Sequence, residues 1–344
     1  MVLNRSDITD LVLVGVEGAV GRIHLNRPQA LNSLNTDMCL AVCQALIDWE
    51  TQDEVQTIVI TGEGRGLCAG GDVVAVREHR IAGEPESFFK VEYGMIKLIA
   101  SYAKPVVAIM HGIVMGGGLG ISAHASHRVV TETTKTAMPE GRIGFWCDVG
   151  MTWPLATRSP GKTGFAFAMT GAIGSPAQTI GLHLADTLIP DNQIPTVIAR
   201  LEAGEHPDTV LDEMGTVPDT TDVRAAQAWI DPCFDAPDPA TILERLRARP
   251  EQEAQDAADA MAEYSPLSMH VILCALQLAA GAPSLAAVLD ADLAIATHFA
   301  QADSDFDEGV RAQLVDKDKN PRWMHTDLAS VPPDLVSGFF ANTY

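Results

Sequence analysis

The chain has 344 residues, is 47% hydrophobic and is strongly acidic, with 45 Asp and Glu against 23 Lys and Arg and a net charge of −22. That apolar content fills a core of about one and a half to two domains. Phosphate would repel this charge balance, and no Lys/Arg cluster offsets it, so nucleic acid is excluded as a partner; no apolar run reaches the roughly 18 residues of a membrane span, which excludes a membrane protein of that kind.

The first ten residues carry Asp7 and Asp10 and no long apolar run, so they do not read as a secretory signal. The six cysteines lack CxxC spacing, and Cys39 and Cys43, four apart on a predicted helix, read as buried thiols. The setting expected is reducing and cytoplasmic. Leu11–Val14 and Arg22–Leu25 read as a hairpin joined through Gly18 and Gly21. Thr36 is placed to cap a helix reaching Trp49, with Met38, Val42, Leu46 and Trp49 along one face. A strand at 56–61 and a helix from Asp72 follow, then a helix over 86–101, a strand over 105–110, a helix over 121–127 and a strand over 128–131. This rhythm makes an α/β core, expected to occupy residues 1–190. Strand signals then stop, and Ala-rich helices at 192–203, 222–230, 239–263, 267–280 and 284–300 make residues 191–344 a helical region that caps the site or builds an oligomer. The Pro-rich stretch 231–239 reads as a break between them.

Two glycine-rich turns, each entered from an apolar strand, carry most of the chemical information. The first is Leu67-Cys-Ala-Gly-Gly-Asp72 and the second His111-Gly-Ile-Val-Met-Gly-Gly-Gly-Leu-Gly120. Glycine after a strand lets backbone approach a ligand, and a helix opening there leaves N–H groups unpaired. Two such donors on one point form an oxyanion hole, the device of carbonyl chemistry. A third cluster is Met138-Pro-Glu140 leading into Phe145-Trp-Cys-Asp148-Val-Gly150. Glu140 among Ile143, Phe145 and Trp146 reads as a carboxyl in an apolar pocket, its pKa raised for proton transfer, with Asp148 facing the same cavity. On composition alone, a surface loop with two solvated acids reads equally well.

Three weaker patterns carry less. Gly161-Lys-Thr163 ends a relaxed phosphate-loop pattern, but Trp153-Pro154 precede it where a buried strand belongs, and Pro160 removes an N–H. Gly64-Arg-Gly-Leu-Cys-Ala69 matches a dinucleotide fingerprint, yet Gly70 and Gly71 prolong the turn and Glu84 and Glu86 lie beside a proline. His124 and His127 have helical spacing but no local carboxylate, so no metal site is expected. No Gly-x-Ser-x-Gly elbow marks a serine hydrolase.

Taken together, Asn26-Arg-Pro28 with Leu31-Asn-Ser-Leu34, Cys68-Ala-Gly-Gly-Asp72, His111-Gly with Gly116-Gly-Gly118, and Met138-Pro-Glu140 with Ile143-Gly144 resemble the enoyl-CoA hydratase/isomerase (crotonase) superfamily. The resemblance implies a crotonase-like spiral of β-β-α units, and the N–H groups of Gly71 and Gly117 as the pair that polarises an acyl-CoA thioester. Hydratases of that family carry a glutamate where this chain has Gly120. The missing carboxylate, with Phe88-Phe-Lys-Val-Glu92-Tyr93, Asp148-Val-Gly150, Ser265-Pro-Leu-Ser268 and the stretch from Asp305 to Trp323, is similar to the 3-hydroxyisobutyryl-CoA hydrolase branch.

This branch implies thioester hydrolysis of a short β-hydroxyacyl-CoA in valine breakdown, with enoyl-CoA hydration or isomerisation as the alternative. It implies Glu140 as nucleophile or base, Asp148 and Glu92 on the substrate hydroxyl or a water, and Cys68, Ala69 and Gly70 lining the acyl-CoA. No metal and no cofactor beyond the substrate's own coenzyme A is expected. Arg27 and Arg65 are candidates for its phosphates, and a homotrimer or hexamer is the assembly implied. Three departures bear on substrate preference: Trp146-Cys147 stand for the branch's Phe-Pro, Met151 for a glycine, and Gly141-Arg142 for small residues.

Overall fold

A computed structural model describes residues 4–83, 88–301, 305–341 and 343. Its strands are β1 (Asn4–Arg5), β2 (Val12–Glu17), β3 (Val20–Leu25), β4 (Thr57–Gly62), β5 (Val106–Met110), β6 (Ile113–Met115), β7 (His127–Val130), β8 (Lys135–Ala137) and β9 (Thr187–Leu188). Seven of them form one sheet in the order β1-β2-β3-β4-β5-β7-β9, and β6 pairs with β8. The β2–β3 hairpin is antiparallel, turning at Gly18 with φ +56°. From β3 onward the sheet is parallel, with Ile23 opposite Ile60, Ile60 opposite Ala108, Ile109 opposite Val129 and Val130 opposite Leu188. Parallel strands covered on both faces read as unbroken apolar runs, and β5 is buried at every residue.

Contacts divide the chain into two units. A sheet unit takes Met1–Asp72, Lys90–Thr136 and Gly174–Thr220; a helical unit takes Val73–Phe89, Ala137–Ile173 and Thr221–Tyr344. Where the sequence suggested one boundary at residue 190, the chain passes between the units repeatedly. Residues of Ala137–Ile173 make hydrogen bonds and ring contacts with residues 264–306, far along the chain.

In the sheet unit, Val20, Val59, Val107, Ile109, Val129 and Ile189 pack against Val197, Ile198 and Leu201 of helix Ile194–Glu202 and Val210 and Leu211 of helix Pro207–Met214. Helix Thr36–Glu50 buries Met38, Val42, Leu46 and Trp49 as its periodicity predicts. Its cap is Asn35, whose side chain accepts from the Met38 N–H, one residue before the expected Thr36. The helical unit contains Val73–Ile81, Thr152–Thr157, Thr163–Thr170, Thr221–Phe234, Pro239–Arg247, Gln252–Glu263, Pro266–Ala279, Leu285–Gln301, Phe306–Val310 and Pro333–Phe339. Pro250 divides the single helix expected over 239–263, and Thr221–Phe234 runs through Pro232 in its last turn, shortening the predicted break. The helix expected at 121–127 instead begins in the triple glycine, as Gly117–Ser122, and His127 starts β7.

The two glycine turns are stitched by backbone. Leu67 N–H donates to His111 C=O at 2.9 Å, Cys68 N–H to Ile113 C=O at 3.2 Å and Met115 N–H to Cys68 C=O at 3.0 Å. Gly112 has φ +54°, and a Cβ there would stand 2.1 Å from the Arg65 carbonyl oxygen. Gly112→Ala therefore combines left-handed strain with a clash against backbone. We expect it to destabilise the fold by about 2–4 kcal/mol, read as a lowered urea midpoint at unchanged slope; an unchanged midpoint would show that the stitch is not a constraint.

Candidate active site

In the sheet unit, the strand-ending turns use up most of their donors. Ala69 N–H goes to Leu31 C=O at 3.0 Å, Gly70 N–H to the Cys68 sulfur at 3.4 Å, and Asp72 N–H to Leu34 C=O at 2.7 Å. The N–H groups of Gly71 and Gly117 make no hydrogen bond among the described residues. They are neighbours: a Cβ on Gly117 would lie 3.3 Å from Gly71 N and 2.5 Å from Glu92 Oε1. Gly116, at φ +50°, turns the chain into the helix whose first residue is Gly117. Glu92 comes from helix Phe88–Ser101 and is 2% exposed. The sheet unit thus brings together two open N–H donors and one buried carboxyl group. Cys68 is buried, and burial pushes its thiol up to about 12, so at neutral pH it is a thiol and not a nucleophile. Cys68 and Ala69 lend their N–H groups to the scaffold, and Gly70 its carbonyl to Leu34 N–H. Gly120 is buried in the short helix and has no side chain to offer.

The helical unit holds the other carboxylates. Glu140, 8% exposed, opens the turn Glu140–Ile143, which ends at Gly144 with φ +70°. Burial first, and the negative charge of Asp148 second, hold its carboxyl well above the usual carboxylate range. Its Oε2 is buried and has no hydrogen-bond partner among the described residues. Asp148 is 5% exposed and precedes Val149 at φ +52° and Gly150 at φ +72°. A β-branched residue in that region costs on the order of 1–3 kcal/mol, so the turn has to be held by its surroundings.

The holding group is one that the sequence reading missed. Asp292, on helix Leu285–Gln301, is 1% exposed; its carboxylate accepts from Gly150 N–H at 2.8 Å and from the Trp146 indole N–H at 3.4 Å. Burial, followed by the charge of Asp148, raises its pKa well above normal. A signal was present: Asp292 shares a helix face with Val288, Ile295 and Phe299, and an acid in core phase needs a partner. The flanking supports are the two C-terminal motifs. Ser265 Oγ donates to Asp305 Oδ2 at 2.5 Å, Met324 N–H to Asp305 Oδ1 at 2.7 Å, and Ser265 N–H to Gly141 C=O at 3.2 Å. Phe145 sits among Phe89, Trp146, Phe299 and Phe306, with ring centroids 4.2–5.4 Å away. Trp146 is therefore a departure with its own partner, stacked on Phe299 and hydrogen-bonded to Asp292. Arg142 is exposed and lies over the Tyr264 ring at 5.5 Å.

Lys162 N–H donates to the chain's own Asp231 carboxylate at 2.7 Å, where a phosphate loop would hold phosphate. No helix opens inside Gly64–Ala69; Gly66 and Cys68 bridge to Gly112 and Val114. His127 Nε2 lies 2.9 Å from Asp208, and His124 is buried. Arg27 is 2.8 Å from Asp72, and Arg65 is exposed. Glu84 and Glu86 lie outside the described residues. Among the described residues, no helix is long and apolar enough to cross a membrane.

The family model described as enoyl-CoA hydratase/isomerase matches residues 20–340. A Dictyostelium discoideum protein named 3-hydroxyisobutyryl-CoA hydrolase, mitochondrial, is 32% identical over 97% of this chain and 92% of its own. A Xenopus tropicalis protein of the same name is 34% identical, covering 94% and 87%. A solved structure described as a carnitinyl-CoA dehydratase from Mycobacterium thermoresistibile is 40% identical, covers 97% of each chain and superposes with a TM-score of 0.91. The crotonase-like α/β architecture expected from sequence stands. The cytoplasmic location does not, because both curated relatives carry a mitochondrial name. Free thiols and acidic charge report redox state and solubility; neither singles out a compartment. With a match along nearly the whole chain in motif, sequence and fold, the chain belongs to the enoyl-CoA hydratase/isomerase family.

Proposed function

We propose that this protein hydrolyses the thioester of a short β-hydroxyacyl-CoA, with 3-hydroxyisobutyryl-CoA, a compound of valine breakdown, as its substrate. The observation that carries the reading is Glu140: a buried carboxyl with one oxygen unpartnered and its pKa raised. An uncompensated buried carboxyl is costly to keep unless it has work to do, and a raised pKa suits proton transfer near neutral pH. The names of the Dictyostelium and Xenopus relatives support the same chemistry.

In this reading the Gly71 and Gly117 N–H groups bind the thioester oxygen as negative charge builds on it. Glu140 acts by one of two balanced routes. As a base, it takes a proton from water while the hydroxide adds to the carbonyl carbon; the C–S bond then breaks and the coenzyme A thiolate leaves with a proton. As a nucleophile, its carboxylate adds to the carbonyl, expels the thiolate and forms a mixed anhydride that water opens. In single turnover in ¹⁸O water, label in Glu140 identifies the nucleophilic route, since it enters only when water opens the anhydride at the Glu140 carbonyl. Asp148 and Glu92 hold the substrate hydroxyl or the attacking water. Arg27 and Arg65 are assigned to the phosphates of coenzyme A, the substrate's own coenzyme A is the only cofactor, and the working assembly is a homotrimer or hexamer.

The Mycobacterium dehydratase favours a second reading, hydration or dehydration of a related acyl-CoA. That chemistry delivers water through paired carboxylates, and Gly120 supplies none.

Free-thiol release from 3-hydroxyisobutyryl-CoA, measured beside hydration of crotonyl-CoA, tests the choice. Wild type should release thiol and leave crotonyl-CoA untouched, and Glu140→Gln should lose about 10²–10⁴-fold in kcat. Crotonyl-CoA consumption without thiol release would overturn the hydrolase reading. Gly117→Ala, which places a methyl 2.5 Å from Glu92 and beside Gly71 N, should cost about 10²–10³-fold; full activity would remove Gly117 from the oxyanion site. The raised Glu140 pKa also fixes the sign of a stability effect. The folded carboxyl keeps its proton to higher pH than the unfolded one, near 4.3, so the folded state binds more protons in that window and loses stability as pH rises through it. Glu140→Gln should therefore raise the melting temperature by about 1–2 °C or more at neutral pH and leave it unchanged below about pH 4. A lowered melting temperature at neutral pH would contradict the burial argument.

A further inference from the structure

Helix Leu285–Gln301 is apolar along its buried face except at Asp292, where Val288, Leu289, Ile295, Ala296 and Phe299 surround a carboxylate. A leucine there would fill the core with nothing to satisfy. The carboxylate instead spends both oxygens on one five-residue turn, accepting from the first residue's indole N–H and the last residue's backbone N–H. Between those anchor points lie Asp148 and the left-handed Val149. Two hydrogen bonds spanning a turn fix its ends, and with them the direction of the side chain in between.

We infer that Asp292 is a positioning residue for Asp148: it clamps Trp146 and Gly150, and so sets where the Asp148 carboxylate points. Its side chain is 1% exposed and spends both oxygens on Trp146 and Gly150, so its effect on turnover passes through Asp148 alone. The inference rests on the proposed role of Asp148 in holding the substrate hydroxyl or the water.

The test is a double-mutant cycle on thiol release from 3-hydroxyisobutyryl-CoA, with kcat and KM measured separately and the melting temperature followed for each variant. Asp292→Asn keeps an acceptor for Gly150 but sets an amide N–H₂ against the Trp146 indole N–H. It should lower kcat by about 10²-fold, the effect of a misplacement near 1 Å, with KM changed by less than about three-fold. In the Asp148→Asn background the same substitution should change kcat by less than about two-fold, because the group it positions is gone. Asp292→Glu retains the charge and both acceptors one methylene further out, should recover part of the lost kcat, and runs the same cycle if Asp292→Asn does not fold. Equal fold losses in both backgrounds, or a kcat that tracks the melting temperature alone, would overturn the inference while leaving the role of Asp148 intact. Asp148→Asn with undiminished kcat would remove both.

Discussion

Backbone meeting backbone at the carboxyl ends of β4 and β5 is the constraint on which the arrangement of the sheet unit's two glycine turns depends. Side chains between the two turns would hold them apart. With Gly112 against Arg65 and Gly118 against Cys68 there is no room for even one methyl group. The stitch consumes the N–H groups of Leu67, Cys68 and Met115, while Leu31 and Leu34 take those of Ala69 and Asp72. Among the described residues, the N–H groups of Gly71 and Gly117 stay open beside these bonds, which hold the backbone on either side of them.

The helical unit meets the opposite problem. It buries Glu140, Asp148 and Asp292 with no arginine or lysine among the causes that shift Glu140 or Asp292, and each of these two is pushed upward by Asp148. Asp292 is offset by two hydrogen-bond donors; one oxygen of Glu140 has no partner among the described residues. A structure selected for stability alone would place glutamine or leucine at such positions. The aromatic packing of Phe89, Phe145, Trp146, Phe299 and Phe306 supplies the apolar burial against which that cost is set.

Much of this was legible in the residues because it rests on short-range rules. Alternating and continuous apolar runs marked β2 to β5, glycine after Ile and Val marked the two turns, and Met138-Pro-Glu140 marked the buried acid. The motifs at 265–268 and 305–323 were visible as patterns, but their purpose was not: Asp305 joins Ser265 and Met324 only once the chain has folded. Asp292 escaped for the same reason, since its partners lie 142 and 146 residues away in sequence. Helix boundaries moved where local chemistry favoured a neighbour, as with Asn35 over Thr36 and the start at Gly117. A single boundary at 190 was the natural reading of a composition change, but composition does not record which distant segments pack together.

The interleaving of the two units has a consequence for anyone who would take the molecule apart. A fragment ending at Thr220 would contain every segment of the sheet unit. It would also carry Glu140 and Asp148 as orphans, severed from Ser265, Asp292, Phe299 and Asp305, which brace their turns. Glu140 is encoded in the first half of the chain, and its turn is braced only by the second. Neither unit is a cassette that gene fusion or truncation could transplant, and a nonsense mutation late in the reading frame would disarm a site whose proposed catalytic residues had all been translated.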